Sequence, residues 1–295
     1  MLVTGTTSGL GLALSAALAR AGARVLMTAR DTARGQAAAE RAGGELVLLD
    51  LADLASVRSA AAQVRDRTGD RLDVLVNNAG VAMGPHTETA DGFELQIGTN
   101  HLGPAALTWL LMPALRAAGD DDQPSRVVTT SSLGHAMGRL DVTDLHWTRR
   151  RYSPNAAYGA SKLATLLFAA ELDRRLRLAA DPVLSVAAHP GMTESSLLAN
   201  SFRRGSTLQA WLFTSWDRWL TTPVEDGIGP QLAAVTGPVH GGDYLGPTGP
   251  FGIRGPAGPA RRSVAAQDPV LAGRLWQVTA AATGVTPDPG RRVAA

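Results

Sequence analysis

The sequence predicts an α/β protein: a doubly wound, parallel sheet flanked by helices, in three α/β/α layers. Three observations carry that prediction. Short apolar runs alternate with longer segments of helical spacing through the first two-thirds of the chain, the pattern of repeated βαβ units. The short runs are almost continuously apolar, as strands become when helices cover both faces of a sheet. A glycine-rich turn, Thr4-Gly5-Thr6-Thr7-Ser8-Gly9-Leu10-Gly11, joins the first run to the first helical segment.

Strands are expected at Leu2–Thr4, Arg24–Thr28, Glu45–Leu49, Leu72–Asn77, Arg126–Ser131 and Leu184–His189. Helices are expected at Leu10–Ala21, Asp31–Ala42, Ala55–Thr68, Thr99–Ala117 and Ala156–Arg177, each with apolar residues three and four apart. Only Met1–Val3 precede Thr4, so the first strand is either unusually short for a central one or lacks upstream residues. After His189 the pattern changes. Pro190-Gly191 opens a long irregular region with Trp211, Trp216 and Trp219; a short helix near Val224–Val235 and a last strand at Asp243–Leu245 follow. The Gly/Pro-rich run Gly246–Pro259 reads as a loop, Asp268–Thr283 as a final helix, and the chain from Thr286 onward as a disordered tail. No linker separates two cores, so residues 1–285 read as one domain with a substrate lid over about 191–222, and 286–295 as the tail.

Composition excludes several classes of function. The 295 residues are 45% hydrophobic and 18% charged, enough apolar material for a large core. The 28 basic and 26 acidic residues leave a net charge of +2. The cations are scattered rather than gathered on one stretch, which argues against a nucleic-acid partner. The absence of cysteine excludes disulfides, zinc–thiolate sites, iron–sulfur clusters and a cysteine nucleophile. The histidines show no metal-ligand spacing, so no metal is expected. Met1 runs within three residues into the glycine turn, without the pattern of a signal peptide. The longest uncharged stretch, Leu95–Leu115, contains Gln96, Asn100, His101 and two prolines, so stable membrane insertion is not expected. A cytoplasmic protein is the expectation.

The glycine turn points to a nucleotide. Placed between strand and helix, it aims the helix N-terminus, with its unpaired N–H groups and positive dipole end, at a phosphate. Gly5 can take a positive φ, and Gly9 and Gly11 allow close approach. The spacing is G-x-x-x-G-x-G rather than G-x-G-x-x-G, and no Gly-Lys-Ser/Thr follows. The second strand ends in Met27-Thr28-Ala29-Arg30, with no carboxylate before Asp31. An Arg there accommodates the 2′-phosphate of NADP(H), which places NADP(H) ahead of NAD(H). Asp50-Leu51 ends the third strand, where a carboxylate can accept from an adenine amino group. Asn77-Asn78-Ala79-Gly80 ends the fourth, at the carboxyl edge where ligands bind.

Tyr158 and Lys162 stand four residues apart in Tyr-Gly-Ala-Ser-Lys, on one face of a helical segment. An ammonium near a phenol stabilises the phenolate, as a general acid serving a carbonyl oxygen requires. Lys162 is the only lysine among the 28 basic residues, in a chain that otherwise meets its need for positive charge with arginine. A lysine kept against that bias marks a position where a compact ammonium is required.

Together, the T-G-x-x-x-G-x-G turn, the N-N-A-G run, the Y-x-x-x-K pair and Pro190-Gly191 occur in an order that resembles the short-chain dehydrogenase/reductase family, over roughly residues 2–285. The resemblance implies a Rossmann-like fold and a catalytic tetrad of Tyr158, Lys162, Ser132 (taken over its neighbour Ser131) and Asn100. It implies that Tyr158 protonates the substrate oxygen and that Ser132 donates a hydrogen bond to it. Lys162 lowers the Tyr158 pKa and holds the nicotinamide ribose, and Asn100 keeps a water that relays protons to solvent. The cofactor residues it implies are Gly5, Thr7, Ser8, Gly9, Leu10, Gly11, Arg30, Asp50, Leu51, Asn77, Ala79, Gly80, Tyr158, Lys162, Pro190, Gly191 and Thr193.

One departure is the long interval of 26 positions from Ser132 to Tyr158. The added stretch, Gly138–Asn155, together with Leu275-Trp276 and Thr283-Gly284, resembles the longer subgroup of retinol dehydrogenases and related carbonyl reductases. An insertion there would cover a surface that many members use for dimers, which leaves homodimer and monomer both open.

Other readings are weaker. Ser132, His135 and Asp144 lack the G-x-S-x-G elbow of a hydrolase. Asp120-Asp121-Asp122 and Arg149-Arg150-Arg151 read as solvated runs. Trp211, Phe213, Trp216 and Leu220 fall at helix-like spacings and read as an apolar lid. The expectation is an NADP(H)-dependent oxidoreductase interconverting a carbonyl and an alcohol on a hydrophobic small molecule. Reduction of an activated C=C bond by the same residues, or a non-catalytic NADP(H)-binding sensor or scaffold, are the alternatives.

Overall fold

The computed structural model describes residues 1–192 and 224–289. Thr193, most of the expected lid with Trp211, Phe213, Trp216, Trp219 and Leu220, and the end of the tail lie outside the described residues. Eight strands form one sheet: β1 (Leu2–Val3), β2 (Leu26–Ala29), β3 (Glu45–Leu48), β4 (Val74–Asn77), β5 (Ser125–Thr130), β6 (Val183–Ala188), β7 (Tyr244–Pro247) and β8 (Ala257–Pro259). Their spatial order is β3-β2-β1-β4-β5-β6-β7-β8, parallel throughout except for the antiparallel pair β7/β8. The strand order reverses between β1 and β4, where Leu2 pairs with both Leu26 and Leu75. Ligands bind outside the carboxyl ends of strands at such a switch point.

The helices are α1 (Gly9–Arg20), α2 (Thr32–Ala42), α3 (Leu54–Thr68), the short α4 (Leu95–Ile97), α5 (Gly103–Ala118), α6 (Pro154–Ala179), α7 (Val224–Gly227), α8 (Gly229–Thr236) and α9 (Pro269–Thr283). Their limits follow from side chains written locally in the sequence. Asp31, Asp53, Ser153 and Asp268 accept from backbone N–H groups at the starts of α2, α3, α6 and α9, and prolines occupy the first turns of α6 and α9. Gly43, Gly69 and Gly284 end α2, α3 and α9 in the left-handed region.

Alternation along each strand divides the core into two layers. Leu2, Leu75 and Val127 face α3 and α5, whereas Val3, Val76 and Val128 face α1, α2 and α8. Helix α9 closes the first layer. Trp276 stacks on Phe168 with ring centroids 5.4 Å apart and meets Trp109 edge-on at 4.9 Å, while the Arg175 guanidinium lies 4.6 Å from its ring centre. Among the described residues no helix is long and apolar enough to cross a membrane.

The structure corrects four expectations. The helix expected to run unbroken over Thr99–Ala117 begins instead with a π turn at Gly98–Leu102, followed by α5. The expected Val224–Val235 helix is broken at Ile228, because Gly227, Gly229 and Pro230 favour a new start. The Gly246–Pro259 loop contributes the end of β7 and an edge strand, β8. Gly246 is there for close approach rather than for a turn, since a Cβ would fall 2.0 Å from His189 Nε2. Finally, the start of the tail expected to be disordered is tied down: Asp288 pairs with Arg116 at 2.8 Å, and Arg116 also holds Asp181 at 2.7 Å.

Candidate active site

At the switch point the glycine turn is clamped to the end of β4. The Thr4 hydroxyl accepts from the N–H groups of Asn78 and Ala79, at 2.9 and 3.0 Å. Asn78 Nδ2 donates to the carbonyl oxygens of Thr4 and Gly5, and on the other side Thr6 donates to the Thr28 carbonyl at 3.0 Å. Gly5 has φ +71°, and a Cβ on it would fall 2.8 Å from Ala79 Cα; a Cβ on Gly11 would lie 2.3 Å from the Gly5 carbonyl oxygen. Only glycine fits either place. Ser8 precedes α1 without a side-chain cap, and a Cβ on Gly9 would meet nothing within 4 Å. The donors of the first turn therefore face an open cradle, and backbone N–H groups at a positive dipole end suit a diphosphate. Thr7, Ser8 and Leu10 line the same turn.

The next sequence-predicted residues flank this cradle. Arg30 is exposed at the end of β2, and Asp31 beside it is committed to capping α2 through Arg34 N–H at 2.8 Å. Asp50 accepts from Ala52 N–H at 2.9 Å, and Leu51 is buried. Asn77 turns inward: it is buried and donates to the Thr108 hydroxyl at 2.9 Å. Its side chain does not reach the sheet edge, so only its main chain is available there.

The residues expected to react come together across β4, β5, the π turn and α6. Asn100 sits in the π turn, a distortion that recurs at functional sites. Asn100 Nδ2 donates to the Val81 carbonyl and to Ser161 Oγ, both at 2.9 Å, and its Oδ1 accepts from Val81 N–H at 2.7 Å. Ser161 in turn donates to the Tyr158 carbonyl at 2.8 Å. The amide of Asn100 thus braces α6 against the loop after β4. Ser161 escaped the sequence argument although it stands three residues from Tyr158, a spacing that places both on one helix face.

Ser132 lies just beyond β5, where its hydroxyl accepts from Gly134 N–H at 3.1 Å; a Cβ on Gly134 would lie 3.1 Å from the Tyr158 ring and 3.5 Å from Ser132 Oγ, so the two side chains border the same space. Ser131 points the other way and donates to the Lys162 carbonyl at 2.9 Å, so Ser132 is the serine that faces Tyr158. The Lys162 ammonium is buried, donates to the Thr130 carbonyl at 3.2 Å, and lies 5.9 Å from the Tyr158 ring centre. A Cβ on Gly80 would sit 3.2 Å from Asn100 Oδ1 and 3.4 Å from Lys162 Nζ. Glycine keeps that approach clear.

The electrostatics amend one expectation. Burial pushes the Tyr158 phenol above its ordinary value, and the neighbouring Ser132 hydroxyl pulls it partly back. The anticipated lowering by Lys162 is not among the causes of this shift, of which desolvation of the phenol is the largest. Burial also pushes Lys162 down to about 8.

A second layer holds this group. His135 donates from Nδ1 to the Ser132 carbonyl at 2.7 Å, because its Nε2 accepts from Ser263 N–H at 3.2 Å. Asp144 instead binds Thr148 and pairs with Arg150 at 3.3 Å, so no Ser–His–Asp relay exists here. Pro190-Gly191 is locked in place: Gly191 has φ +74°, donates to His189 Nδ1 at 3.2 Å, and would clash with the Ile253 carbonyl if it carried a Cβ. The inserted stretch docks through Tyr152, which donates to Glu94 at 3.1 Å and accepts from Gln96 at 2.8 Å.

Comparison with known proteins agrees with this geometry. The family model described as short chain dehydrogenase matches residues 1–205. The chain is 42% identical to polyprenol dehydrogenase of Mus musculus over 255 residues, covering 83% of this chain and 74% of that protein. It is 36% identical to retinol dehydrogenase 13 of Homo sapiens over 300 residues, covering 97% of this chain and 84% of that protein. A crystal structure of an uncharacterised protein from Mycobacterium paratuberculosis superposes with a TM-score of 0.80 at 40% identity, covering 97% of this chain and 93% of that one.

Proposed function

The chain belongs to the short chain dehydrogenase family, an oxidoreductase family that binds nicotinamide dinucleotides, and on that premise we propose that it is an NADP(H)-dependent enzyme interconverting a carbonyl and an alcohol on an apolar small molecule. The observation that carries the reading is the gathering of Ser132 and Tyr158 around Gly134, with the buried Lys162 ammonium one helical turn away and 5.9 Å from the Tyr158 ring centre. A binding module needs the cradle at Gly5–Gly11 but has no use for a hydroxyl pair with an ammonium behind it. The dinucleotide, when bound, supplies or accepts the hydride.

The remaining chemistry belongs to the chain. Gly5, Gly9 and Gly11 open the turn for the diphosphate, with Thr7, Ser8 and Leu10 around it. Arg30 would hold the 2′-phosphate of the adenosine ribose, Asp50 and Leu51 would border the adenine, and Asn77, Ala79 and Gly80 would offer main chain along the sheet edge. Pro190 and Gly191 would border the bound dinucleotide on the far side, and Thr193, outside the described residues, is assigned to it from the sequence pattern alone. Ser132 holds the substrate oxygen, and Tyr158 delivers its proton there in reduction and removes it in oxidation. Lys162 offsets charge developing on the phenol and binds the ribose. Asn100, its amide already committed, serves proton exchange through its main-chain carbonyl. Polyprenols and retinol are apolar primary alcohols, so the names of the two relatives support a long-chain isoprenoid alcohol or its aldehyde as substrate.

Fluorescence titration with NADPH and NADH, followed by turnover on all-trans-retinal and a polyprenal, tests the proposal. The expected result is NADPH binding tighter than NADH by about tenfold, or about 1.4 kcal/mol, with NADPH consumed only when aldehyde is present. Equal affinities would remove Arg30 as the phosphate reader. Nucleotide binding without turnover on any aldehyde or alcohol would overturn the catalytic assignment.

A further inference from the structure

Beneath the switch point lies a buried amide to which the family pattern gives no part. Gln231, on α8, has 0% exposed surface. Its Nε2 donates to Asn78 Oδ1 at 2.9 Å and to Thr130 Oγ1 at 2.7 Å. Its Oε1 is buried without a hydrogen-bond partner.

The direction of these bonds is determined by groups that cannot change role. The carbonyl oxygens of Thr4 and Gly5 are acceptors only, so the Asn78 amide must turn its Nδ2 toward them. Asn78 Oδ1 then faces Gln231, which must answer with its NH2 end. Both protons of Nε2 are used in this way, one on the glycine turn's support and one on Thr130. The Thr130 main-chain carbonyl is the acceptor for the Lys162 ammonium. One side chain thus stands between the cradle and the lysine, 153 positions from Asn78 and 101 from Thr130 in sequence. Leaving Oε1 buried and unpaired is unfavourable, and a methionine would fill the same space without that penalty, so packing alone does not account for the amide.

We propose that Gln231 is a positioning residue that fixes the Asn78 amide under the glycine turn and, through Thr130, the seat of Lys162, so that nucleotide binding and the ammonium are aligned by one contact from α8. The role rests on the nucleotide-binding reading above. It is tested without any substrate, by NADPH titration of the full chain as tryptophan fluorescence across the pH range. Gln231→Met keeps the volume and removes both donors; NADPH affinity should fall about tenfold while thermal unfolding stays cooperative. Gln231→Glu places in the same position a group that donates only when protonated. Its single O–H in acid replaces one of the two donors, so its NADPH affinity should recover in part in acid and fall away as pH rises, a dependence that a purely structural role would not produce. Thr130→Val removes one of the two acceptors and should weaken binding by less, with the double variant Gln231→Met/Thr130→Val no weaker than Gln231→Met alone. Variants that bind NADPH as the wild type does, at every pH, overturn the role of Gln231 and leave the nucleotide reading intact. A wild-type chain that binds neither NADPH nor NADH overturns that reading and this role with it.

Discussion

The Lys162 ammonium donates to the main-chain carbonyl of Thr130 across 3.2 Å, inside a pocket that leaves the residue 5% exposed. A single carbonyl is a poor replacement for water around a full charge, and burial accordingly pushes this lysine down to about 8. Unfolded, it titrates near 10.5. Between those values the unfolded chain holds a proton that the folded chain has released, so stability rises as pH climbs through the window. Below it, the buried charge costs roughly 3 kcal/mol. Lys162→Met should therefore raise the urea midpoint at neutral pH, by an amount equivalent to about 1–3 kcal/mol, while turnover disappears. A variant less stable than the wild type would show that the ammonium is better compensated than its one hydrogen bond among the described residues suggests.

Tyr158→Phe removes the proposed proton donor and little else. Nucleotide affinity should remain within about twofold, and turnover should fall by at least 10³. Ser132→Ala, which removes the hydroxyl beside the phenol, should lower turnover by about 10²–10³. Steady-state kinetics alongside NADPH titration separate the two effects; unchanged turnover in Tyr158→Phe would sink the acid–base assignment.

Gly80→Ala should act on the site with little change in the fold. The new methyl would lie 3.2 Å from Asn100 Oδ1 and 3.4 Å from Lys162 Nζ, close enough that both must shift by a few tenths of an ångström. Turnover is expected to drop about tenfold, in line with small misplacements of reacting groups, with the midpoint of thermal unfolding nearly unchanged. A large loss of stability would place Gly80 in the scaffold.

His101, fully buried in the π turn, pairs its Nε2 with the Thr279 hydroxyl of α9 at 2.7 Å. Burial pushes it down to about 3, so it is neutral in the fold and must charge on unfolding below its ordinary 6.5. Its contribution is fully present above that value and is lost as pH falls toward 3, on the order of 4 kcal/mol over the whole window. His189, pushed down to about 4 by burial, adds in the same direction. His101→Gln should flatten the acid limb of stability measured by urea unfolding at stepped pH; an unchanged slope would assign the acid sensitivity to other groups.

Much of this molecule was determined by the sequence itself, because the signals involved are local. Apolar runs, capping residues and the glycines at Gly43, Gly69 and Gly284 act within a turn or two of their own position, so strands β1–β6 and the main helices are readable from them. The glycine turn and the Tyr158/Lys162 pair are likewise short-range, the latter fixed by helix pitch alone. Tertiary structure decided what depends on partners far along the chain. The π turn at Gly98–Leu102 brings Asn100 to Val81 and Ser161, and β8 forms because β7 offers an open edge. The geometry beyond β5 turns Ser132 toward Tyr158 and Ser131 toward the Lys162 carbonyl, and Gln231 meets Asn78 only once α8 is packed on the sheet. The titration of Tyr158 belongs to the same group. Its phenol is governed by desolvation, which is a property of everything packed around it and of no spacing in the sequence.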